Sequence, residues 1–406
     1  MNNHPGPIVV AGHICLDIIP TFDPAMFAGG ALALEDLLVP GKLTTVGPAV
    51  TATGGAVSNT GLALHRLGAP TKLMGKIGDD LFGHAILDFI RSTGPGLADG
   101  MIVDPDAVSS YTLVINPPGV DRIFLHCPGA NDTFGADDVD MDRVAGASIF
   151  HFGYPPIMRR LYGDGGVELA ALMERAGATG AVTSLDASYP DPKTDAGQVD
   201  WWTLLAMVLP HVDIFLPSLE ETLFMLDRRH HDRLAARGEI IRQADGELLR
   251  SLADELLEMG VAVVGLKLGD QGLYLRTTSD AQRLAGLIAR LGLDADAWRG
   301  RELLAPCFQA QVVGTTGAGD CTIAGFLAAL LRGASPVEAM TSAVAVGAFN
   351  VESADATSGI PPWPAVEARI QAGWTRRSVE LDLPGWAWAQ EQGVWLGRED
   401  RENGEL

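Results

Sequence analysis

The spacing of hydrophobic residues divides the chain into an N-terminal part with short, interrupted apolar runs and a longer part with regular ones. From Ser148 onward, apolar runs of strand length alternate with stretches of helical periodicity. Continuous apolar strands separated by helices are typical of a parallel sheet covered on both faces, and such sheets bind ligands at the carboxyl ends of their strands. The pattern predicts an α/β fold with a doubly wound, mostly parallel sheet flanked by helices.

The N-terminal part predicts a first strand and a small separate sheet. Residues 8–11 form a buried-type strand, and the apolar run over 14–19 carries Asp17 in its middle. A charge inside an apolar run either turns to solvent or serves a ligand, because burying it without a partner is unfavourable. Residues 18–53 and a hairpin pattern within 107–127 predict a small β lid, which would keep water away from a reacting group.

A glycine-rich turn lies between a short apolar run and a predicted helix. Gly317, Ala318 and Gly319 let the backbone approach a ligand closely. The helix predicted over 321–331 would direct its N-terminal amides at the same point, which makes an anion site. Asp320 stands at the mouth of that helix and is either its N-cap or a base beside the anion site, as phosphoryl transfer to a hydroxyl requires. The turn matches neither the P-loop nor the dinucleotide-binding motif.

Composition excludes several classes of protein. The chain has 406 residues, 47% of them hydrophobic, which suffices for one large globular domain with an appendage or for two domains. A formal charge of -22 argues against nucleic acid as a partner, because few cations are available to replace phosphate counterions. The four cysteines have no metal-like spacing and the N-terminus lacks a signal peptide pattern, so we expect a cytoplasmic protein. No apolar stretch is long enough to cross a membrane.

Together these motifs resemble those of the ribokinase-like (PfkB) carbohydrate kinases. The stretch GTTGAGD, which ends at Asp320, is similar to the family signature Asp-Thr-Thr-Gly-Ala-Gly-Asp, with Gly314 in place of its first Asp. A Gly-Gly pair followed by Asn59 resembles the N-terminal signature of the same family. The resemblance implies a ribokinase-like fold and a kinase that uses ATP and Mg²⁺ to phosphorylate a hydroxyl of a sugar or sugar-like small molecule.

The resemblance also implies roles for individual residues. Asp320 would be the catalytic base, and Gly317, Ala318 and Gly319 would form the anion hole. Sugar binding is expected of Asp17, Gly54, Gly55, Asn59 and Asn131, nucleotide binding of Lys267, Gly269, Gly272, Thr315, Ala343, Gly347 and Asn350, and magnesium binding of Glu221.

Three departures from the family pattern change what the resemblance implies. Ser218 replaces the Asn of an Asn-x-x-Glu motif that ends at Glu221, and Cys15 replaces a polar residue near Asp17. Gly314 removes the Asp beside which many relatives build a monovalent-cation site, so we expect weak or absent potassium activation. A nucleoside kinase of the same superfamily, or a sugar- and nucleotide-binding protein that no longer transfers phosphate, remains an alternative.

The expected domain organisation is one large domain with a short tail. We expect residues 1–375 to form the kinase domain, with an inserted helix within 278–304, and residues 376–406 to form a tail. The tail contains several tryptophans, which we expect to pack it onto the domain. The open strand edges of a β lid could be covered by a symmetric partner, so a homodimer through the lid is an option.

Overall fold

The structure is a computed structural model that describes residues 6–22, 39–116, 123–398 and 400. Within these ranges the strands form a large main sheet, a small sheet and a two-stranded ribbon. In chain order, the strands are β1 (Ile8–Gly12), β2 (Cys15–Pro20), β3 (Ala49–Gly54), β4 (Thr71–Met74), β5 (Lys76–Gly78), β6 (Ile102–Asp104), β7 (Tyr111–Ile115), β8 (Ile123–Cys127), β9 (Ile149–Gly153), β10 (Val182–Leu185), β11 (Ile214–Phe215), β12 (Val263–Lys267), β13 (Leu273–Thr277), β14 (Glu302–Ala305), β15 (Ala387–Ala389) and β16 (Val394–Leu396).

Helices connect most of these strands. In chain order, the α-helices of the described residues are α1 (Ala56–Arg66), α2 (Leu81–Thr93), α3 (Met141–Val144), α4 (Arg159–Tyr162), α5 (Val167–Ala178), α6 (Trp201–Val208), α7 (Leu219–Leu226), α8 (Arg228–Ala235), α9 (Gly246–Glu258), α10 (Ala281–Leu291), α11 (Ala295–Trp298), α12 (Ala318–Leu330), α13 (Pro336–Val351) and α14 (Trp363–Gln371).

The main sheet has a parallel part and an antiparallel part. Its parallel strands lie in the order β4-β1-β9-β10-β11-β12, and β13, β14, β16 and β15 continue the sheet with antiparallel pairing. The carboxyl ends of the parallel strands therefore meet along one edge, where sheets of this kind bind ligands. The predicted α/β fold with a mostly parallel sheet is confirmed.

Alternating side chains of β1 enter two separate hydrophobic clusters, one on each face of the main sheet. Ile8 and Val10 belong to a cluster that includes α1, α12 and α13, whereas Val9 and Ala11 belong to a cluster that includes α5, α6 and α9. Successive residues of a strand point to opposite faces, so a strand buried on both sides needs helices on both sides. The doubly wound arrangement follows from this pattern.

The small sheet forms the predicted lid, with the strand order β3-β2-β7-β8. β2 pairs antiparallel with β3 and parallel with β7. The lid begins at Cys15 rather than at residue 18, so Asp17 lies in the lid and not at the end of a main-sheet strand. Residues 23–38 and 117–122, which include part of the predicted lid and its hairpin turn, lie outside the described residues.

The expected insert and the C-terminal tail both contribute to the main sheet. Residues 278–304 contain α10, which is the expected helix, followed by α11 and the start of β14. In the tail, β16 pairs with β14 and β15 pairs with β16, so the tail continues the sheet at its antiparallel edge. The ring centres of Trp386 and Tyr274 are 6.0 Å apart, which packs the tail onto the domain. No helix of the described ranges is both long and apolar enough to span a membrane.

Candidate active site

One position of the glycine-rich turn before α12 requires glycine. α12 begins at Ala318 rather than at Cys321, and Gly317 is its N-cap with a φ of 75°. A Cβ on Gly317 would lie 2.7 Å from the Cβ of Ala356. Both the left-handed backbone and the lack of space therefore require glycine at this position.

The amides of this turn differ in their hydrogen bonding. The Ala318 amide donates to the carbonyl of Thr315 at 3.3 Å, whereas the described residues provide no backbone acceptor for the amides of Gly317 and Gly319. Unpaired amides at a helix N-terminus attract anions. Gly317 and Gly319 are thus placed to form an anion hole, but the expectation for Ala318 needs correction because its amide is already engaged.

Asp320 is the third residue of α12 and not its N-cap, so the capping interpretation is wrong. The residue is 3% exposed, and its carboxylate accepts hydrogen bonds from Asn59 Nδ2 at 3.0 Å and from Thr60 Oγ1 at 3.4 Å. Both donors lie on α1, which packs against α12. The carboxylate is therefore oriented by a distant part of the chain and not by its own helix.

Tyr154 is the closest donor to Asp320, and the motifs in the sequence did not predict its role. Its hydroxyl lies 2.9 Å from Oδ1 and 2.8 Å from Oδ2 of the carboxylate. Tyr154 directly follows β9 and has a φ of 70°, in the left-handed region that non-glycine residues rarely adopt. Such backbone strain is concentrated at functional sites. The signal in the sequence is its position directly after a buried parallel strand.

Burial controls the acid-base properties of Asp320 and Tyr154. Burial raises the pKa of Asp320, while hydrogen bonds from Asn59, the charge of Lys267 and the hydroxyl of Tyr154 act to lower it. Burial and the neighbouring Asp320 raise the pKa of Tyr154 well above its ordinary range, so the phenol keeps its proton and acts as a donor. A carboxylate with a raised pKa is a better proton acceptor when it is ionised.

A buried ion pair lies beside the glycine turn. Lys267, at the end of β12, places Nζ 2.6 Å from Oδ1 of Asp186, which follows β10. The lysine passes Gly319, where a Cβ would lie 3.7 Å from Nζ. Burial acts to lower the pKa of Lys267, but the charges of Asp186 and Glu221 outweigh it and raise the pKa. A charged ammonium is therefore held next to the anion hole.

The same region holds more carboxylates than cations. Burial raises the pKa of Asp186, with the Lys267 charge acting in the opposite direction and the charges of Glu221 and Asp320 adding to the rise. Oδ2 of Asp186 is buried without a hydrogen-bond partner in the described residues. A bound cation would compensate this surplus of negative charge.

Glu221 caps the start of α7 and also lines the cavity that contains Asp320. Ser218 N donates to Glu221 Oε2 at 2.7 Å, and Glu221 N donates to Ser218 Oγ at 3.2 Å, which is a capping box at the start of α7. Glu221 lines the same cavity as Asp320. Ser218, which replaces the Asn of the family motif, thus serves as the helix cap.

Two cavities meet at the glycine turn. The first, which we call the carboxylate cavity, has a volume of about 680 Å³ and is lined by Asp320, Asn59, Tyr154 and Glu221 among others. The second, which we call the apolar cleft, has a volume of about 330 Å³. The residues that line both are Lys267, Gly269, Thr315, Ala318 and Gly319.

The apolar cleft is lined by apolar residues together with a few polar and charged ones. A Cβ on Gly347 would lie 2.5 Å from Oγ1 of Thr322, so glycine keeps this part of the cleft open. A mostly apolar lining with a few polar groups is common in small-molecule sites. The apolar residues of the lining include Phe308, Ala310, Val312, Val344, Ala348 and Val351, and the predicted residues that line the cleft are Lys267, Gly269, Gly272, Thr315 and Gly347.

Ala343 and Asn350 do not line the cleft, which corrects their expected role in nucleotide binding. Ala343 is fully buried and packs against Gly325, where a Cβ would lie 3.0 Å from its Cα. Asn350 donates to the carbonyls of Thr316 at 3.1 Å and Ala356 at 2.7 Å. Asn350 therefore fastens the glycine turn to the loop after α13.

The two glycines expected to contact a sugar lie close to protein side chains. A Cβ on Gly54 would lie 2.3 Å from Oδ2 of Asp17, and a Cβ on Gly55 would lie 2.5 Å from Nδ1 of His13. Burial raises the pKa of Asp17. The glycines thus bring β2 of the lid and the end of β1 close to the start of α1.

Asn131 is a structural residue, which corrects its expected role in substrate binding. It is fully buried, and its amide group bonds to both backbone groups of Ile14, at 3.2 Å and 2.9 Å, and to the carbonyl of Pro128. Asn59 is the expected sugar-binding residue that lines the carboxylate cavity. Its Oδ1 is buried and has no partner in the described part of the chain.

Gly314, the first residue of the glycine-rich motif, is closely packed. A Cβ on Gly314 would lie 2.9 Å from the carbonyl oxygen of Ser353 and 3.1 Å from that of Ala354. An aspartate here would require the loop after α13 to move. The packing around position 314 therefore fits glycine and leaves no space for the aspartate of the family signature.

Comparison with known proteins agrees with this geometry. Residues 32–363 match the family described as pfkB family carbohydrate kinase. An uncharacterized sugar kinase of Archaeoglobus fulgidus is 25% identical over 301 residues, which cover 74% of this chain and 98% of that protein. A probable chloroplastic fructokinase-6 of Arabidopsis thaliana is 25% identical over 375 residues, which cover 90% of this chain and 83% of that protein.

Solved structures share the fold. Ribokinase from Thermotoga maritima superposes with a TM-score of 0.63 at 18% identity, covering 90% of this chain and 99% of that one. Fructokinase from Xylella fastidiosa with bound ATP superposes with a TM-score of 0.65 at 20% identity, covering 90% and 98%. These structures establish the fold, and the family match extends over most of the sequence. The chain belongs to the PfkB family of carbohydrate kinases.

Proposed function

We propose that this protein transfers the γ-phosphoryl group of ATP to a hydroxyl of a sugar or sugar-like alcohol, with Asp320 as the base. One observation carries the proposal: the buried carboxylate of Asp320, oriented by Asn59 and Tyr154, lies within one helical turn of unpaired amides that face the same cavity. A base beside an anion hole is what phosphoryl transfer to a hydroxyl needs. A sugar kinase and a fructokinase among the relatives support a carbohydrate acceptor.

The geometry supports a direct transfer. The acceptor hydroxyl enters the carboxylate cavity and gives its proton to Asp320 while its oxygen attacks the γ-phosphorus, and the bond to the ADP oxygen breaks in line. The amides of Gly317 and Gly319 would stabilise charge on the transferring group, an effect typically worth about 10²–10³ in rate per donor. Asn59 Oδ1, buried without a partner, can accept a hydrogen bond from the acceptor.

The residues fit magnesium as an ion that is bound largely through phosphate. In the described residues, no group of three or more His, Cys, Asp or Glu side chains is placed to hold a metal. Mg²⁺ commonly keeps several waters and takes one or two carboxylates plus substrate phosphates. Glu221 and the unpartnered Oδ2 of Asp186 are the carboxylate oxygens that could serve it, directly or through water. A bound Mg²⁺ would neutralise charge on the phosphates.

Two further assignments belong to this proposal. Asp17 would contact the acceptor from the lid, whose strand β8 contributes Phe124 to the lining of the carboxylate cavity. Because Gly314 packs against the carbonyls of Ser353 and Ala354, potassium should activate the enzyme weakly or not at all. Turnover that depends strongly on potassium would contradict the second assignment.

A screen of acceptors tests the proposal. ADP release from the full chain with ATP and Mg²⁺ would be measured against sugars, sugar phosphates and nucleosides, and we expect at least one sugar or sugar-like alcohol to stimulate it. Activity with nucleosides alone would identify a nucleoside kinase instead. Activity with no acceptor, despite nucleotide binding, would favour a binding protein.

A substitution tests the base. Asp320→Asn keeps the shape of the side chain and should lower kcat by about 10²–10⁴-fold, the usual contribution of a general base, without weakening ATP binding. Asp88→Asn, at a carboxylate that is 81% exposed on α2, is the matched control. An Asp320→Asn protein with full turnover would exclude Asp320 as the base.

A further inference from the structure

The C-terminal tail lies against the wall of the apolar cleft. The family match ends at residue 363, and beyond α14 the chain runs antiparallel to the segment that follows β14. Gln309 N donates to the carbonyl of Thr375 at 2.9 Å, and Arg377 N donates to the carbonyl of Cys307 at 2.8 Å. These bonds attach a part of the chain outside the family match to the rim of the cleft.

Side chains of the tail also hold this wall. The indole of Trp374 stacks on Phe308, with ring centres 4.6 Å apart and planes inclined by 18°, and its Nε1 donates to the carbonyl of Gln309 at 2.7 Å. The guanidinium of Arg376 lies 4.0 Å from the centre of the Phe308 ring and donates to the carbonyl of Pro306. Phe308 lines the cleft, so the tail fixes the position of a cleft residue.

Arg377 reaches the cleft itself. Its side chain is 39% exposed and lines the cleft beside Cys307 and Gly272. Its Nη2 donates to Oδ2 of Asp270 at 3.0 Å. A guanidinium carries five N–H donors in a planar fork, and this bond uses one of them. The remaining donors have no side-chain acceptor among the described residues and are available to a ligand.

The distribution of charge around the cleft favours an anion as that ligand. Lys267 and Arg377 are the cations that line the cleft in the described structure, and Lys267 already pairs with the buried Asp186. The chain carries a formal charge of -22, so long-range attraction does not favour a nucleotide. Phosphate binding must then depend on local donors, and a guanidinium fork suits phosphate oxygens.

We propose that Arg377 binds a phosphate of the donor nucleotide and that residues 374–377 are part of the donor site. The inference rests on the proposed function, since it takes the apolar cleft as the nucleotide site. The competing hypothesis is that Arg377 pairs with Asp270 only to pack the tail.

Calorimetric titration of the full chain with ATP, ADP and adenosine, without any acceptor, tests the inference. Arg377→Gln should raise the Kd for ATP and ADP about 10- to 100-fold, the usual loss for a hydrogen bond to a charged group, and should leave adenosine binding unchanged. Arg377→Lys should recover part of the affinity because it keeps the charge. Arg398→Gln is the matched control, since Arg398 lies in the same tail and pairs with Glu247 at the surface.

A second variant separates the two hypotheses. Asp270→Asn removes a negative charge from the rim and the carboxylate that Arg377 shares with Arg242, so ATP should bind as tightly as before or more tightly. If the pair only packs the tail, Arg377→Gln should lower the melting temperature and weaken all three ligands equally, and Asp270→Asn, which also removes the acceptor of Arg242, should do so at least as much.

Specific outcomes would overturn the inference. One is an Arg377→Gln protein that binds ATP and ADP as tightly as the wild type does. Another is an Arg377→Gln protein that loses as much affinity for adenosine as for ATP and ADP. The third is a wild-type protein that binds none of the three ligands. A chain that binds ATP through Arg377 but phosphorylates no acceptor would refute the proposed kinase function and leave this inference standing.

Discussion

Replacing Tyr154 by phenylalanine removes the donor closest to Asp320 and leaves the aromatic ring in place. The lost hydroxyl lies 2.8 Å and 2.9 Å from the two carboxylate oxygens. A hydrogen bond to a charged group contributes about 1.5–3 kcal/mol, and about 1.4 kcal/mol shifts a titration by one pH unit. Since the Tyr154 hydroxyl acts to lower the pKa of Asp320, its removal should raise that pKa. Asp320 works as a base only when ionised, so the acidic limb of activity should move up by about one to two pH units.

The measurement is the pH dependence of kcat/KM for the best acceptor found in the screen, because its acidic limb reports the base of the free enzyme. At pH values above the limb, Asp320 is ionised in both proteins, so the variant should lose less activity there than at acidic pH. Tyr162→Phe is the matched control. Tyr162 lies on α4, where its ring packs 6.4 Å from that of Trp201, and it should leave the limb in place.

Two results would refute this reasoning. One is an acidic limb that does not move in Tyr154→Phe, which would mean that the hydroxyl does not act on the ionised base. The other is an equal shift in both tyrosine variants, which would point to a general effect on the fold.

The other predictions concern the ion pair, the glycine turn and a buried histidine. Lys267→Met leaves Asp186 buried without its partner and should destabilise the fold by about 3–5 kcal/mol in urea denaturation; adding Asp186→Asn should restore much of the stability but not the activity. Gly317→Ala should destabilise the folded protein by at least about 1–2 kcal/mol, because the φ of Gly317 is 75°. Gly319→Ala should lower activity with little change in stability, because its Cβ would lie no closer than 3.6 Å to Lys267. Equal melting temperatures for the two variants would contradict this prediction. His151 is buried, and its pKa is lowered to about 3. At acidic pH the unfolded chain therefore binds a proton at His151 that the folded chain does not bind. The free energy of unfolding should fall by about 1.4 kcal/mol per pH unit as the pH drops below about 6.5. Denaturation between neutral pH and about pH 5 should therefore show a smaller loss for His151→Asn than for the wild type, and parallel losses would contradict the assignment.

The strands of the main sheet could be predicted where burial dictates residue type. β9 and β12 are mostly apolar because both of their faces are covered, and short apolar runs bounded by turn residues are typical of fully buried strands. The sheet to which β2 belongs could not be predicted. Gly12, with a φ of 125°, and the bond from His13 N to the carbonyl of Gly153 redirect the chain after β1. This turn depends on contacts with a distant strand, which local spacing does not contain.

The candidate active site could also be predicted only in part from local sequence. The spacing of residues in the sequence identified a turn, a helix and a carboxylate at Asp320. A helix cap and a catalytic base would both be an aspartate at this position, so the sequence did not distinguish them. Its orientation is set by Asn59 and Tyr154, which lie far away in sequence and meet it only in the folded chain. The surroundings of Gly54 and Gly55 could not be predicted for a related reason. A position without a Cβ admits a ligand or a neighbouring side chain, and here the neighbours are side chains of the protein.

The charge of the protein explains why the site depends on directional donors. With a formal charge of -22, the chain repels ATP at long range, and Lys267, beside the anion hole, is paired with Asp186. What remains for the phosphates are the unpaired amides of Gly317 and Gly319, the guanidinium of Arg377 and the cation that the surplus carboxylates would accept. Amides and a guanidinium fork act only at short range and in fixed directions. Nucleotide affinity in this protein should therefore depend more on the geometry of the turn and the tail than on the overall electrostatic field.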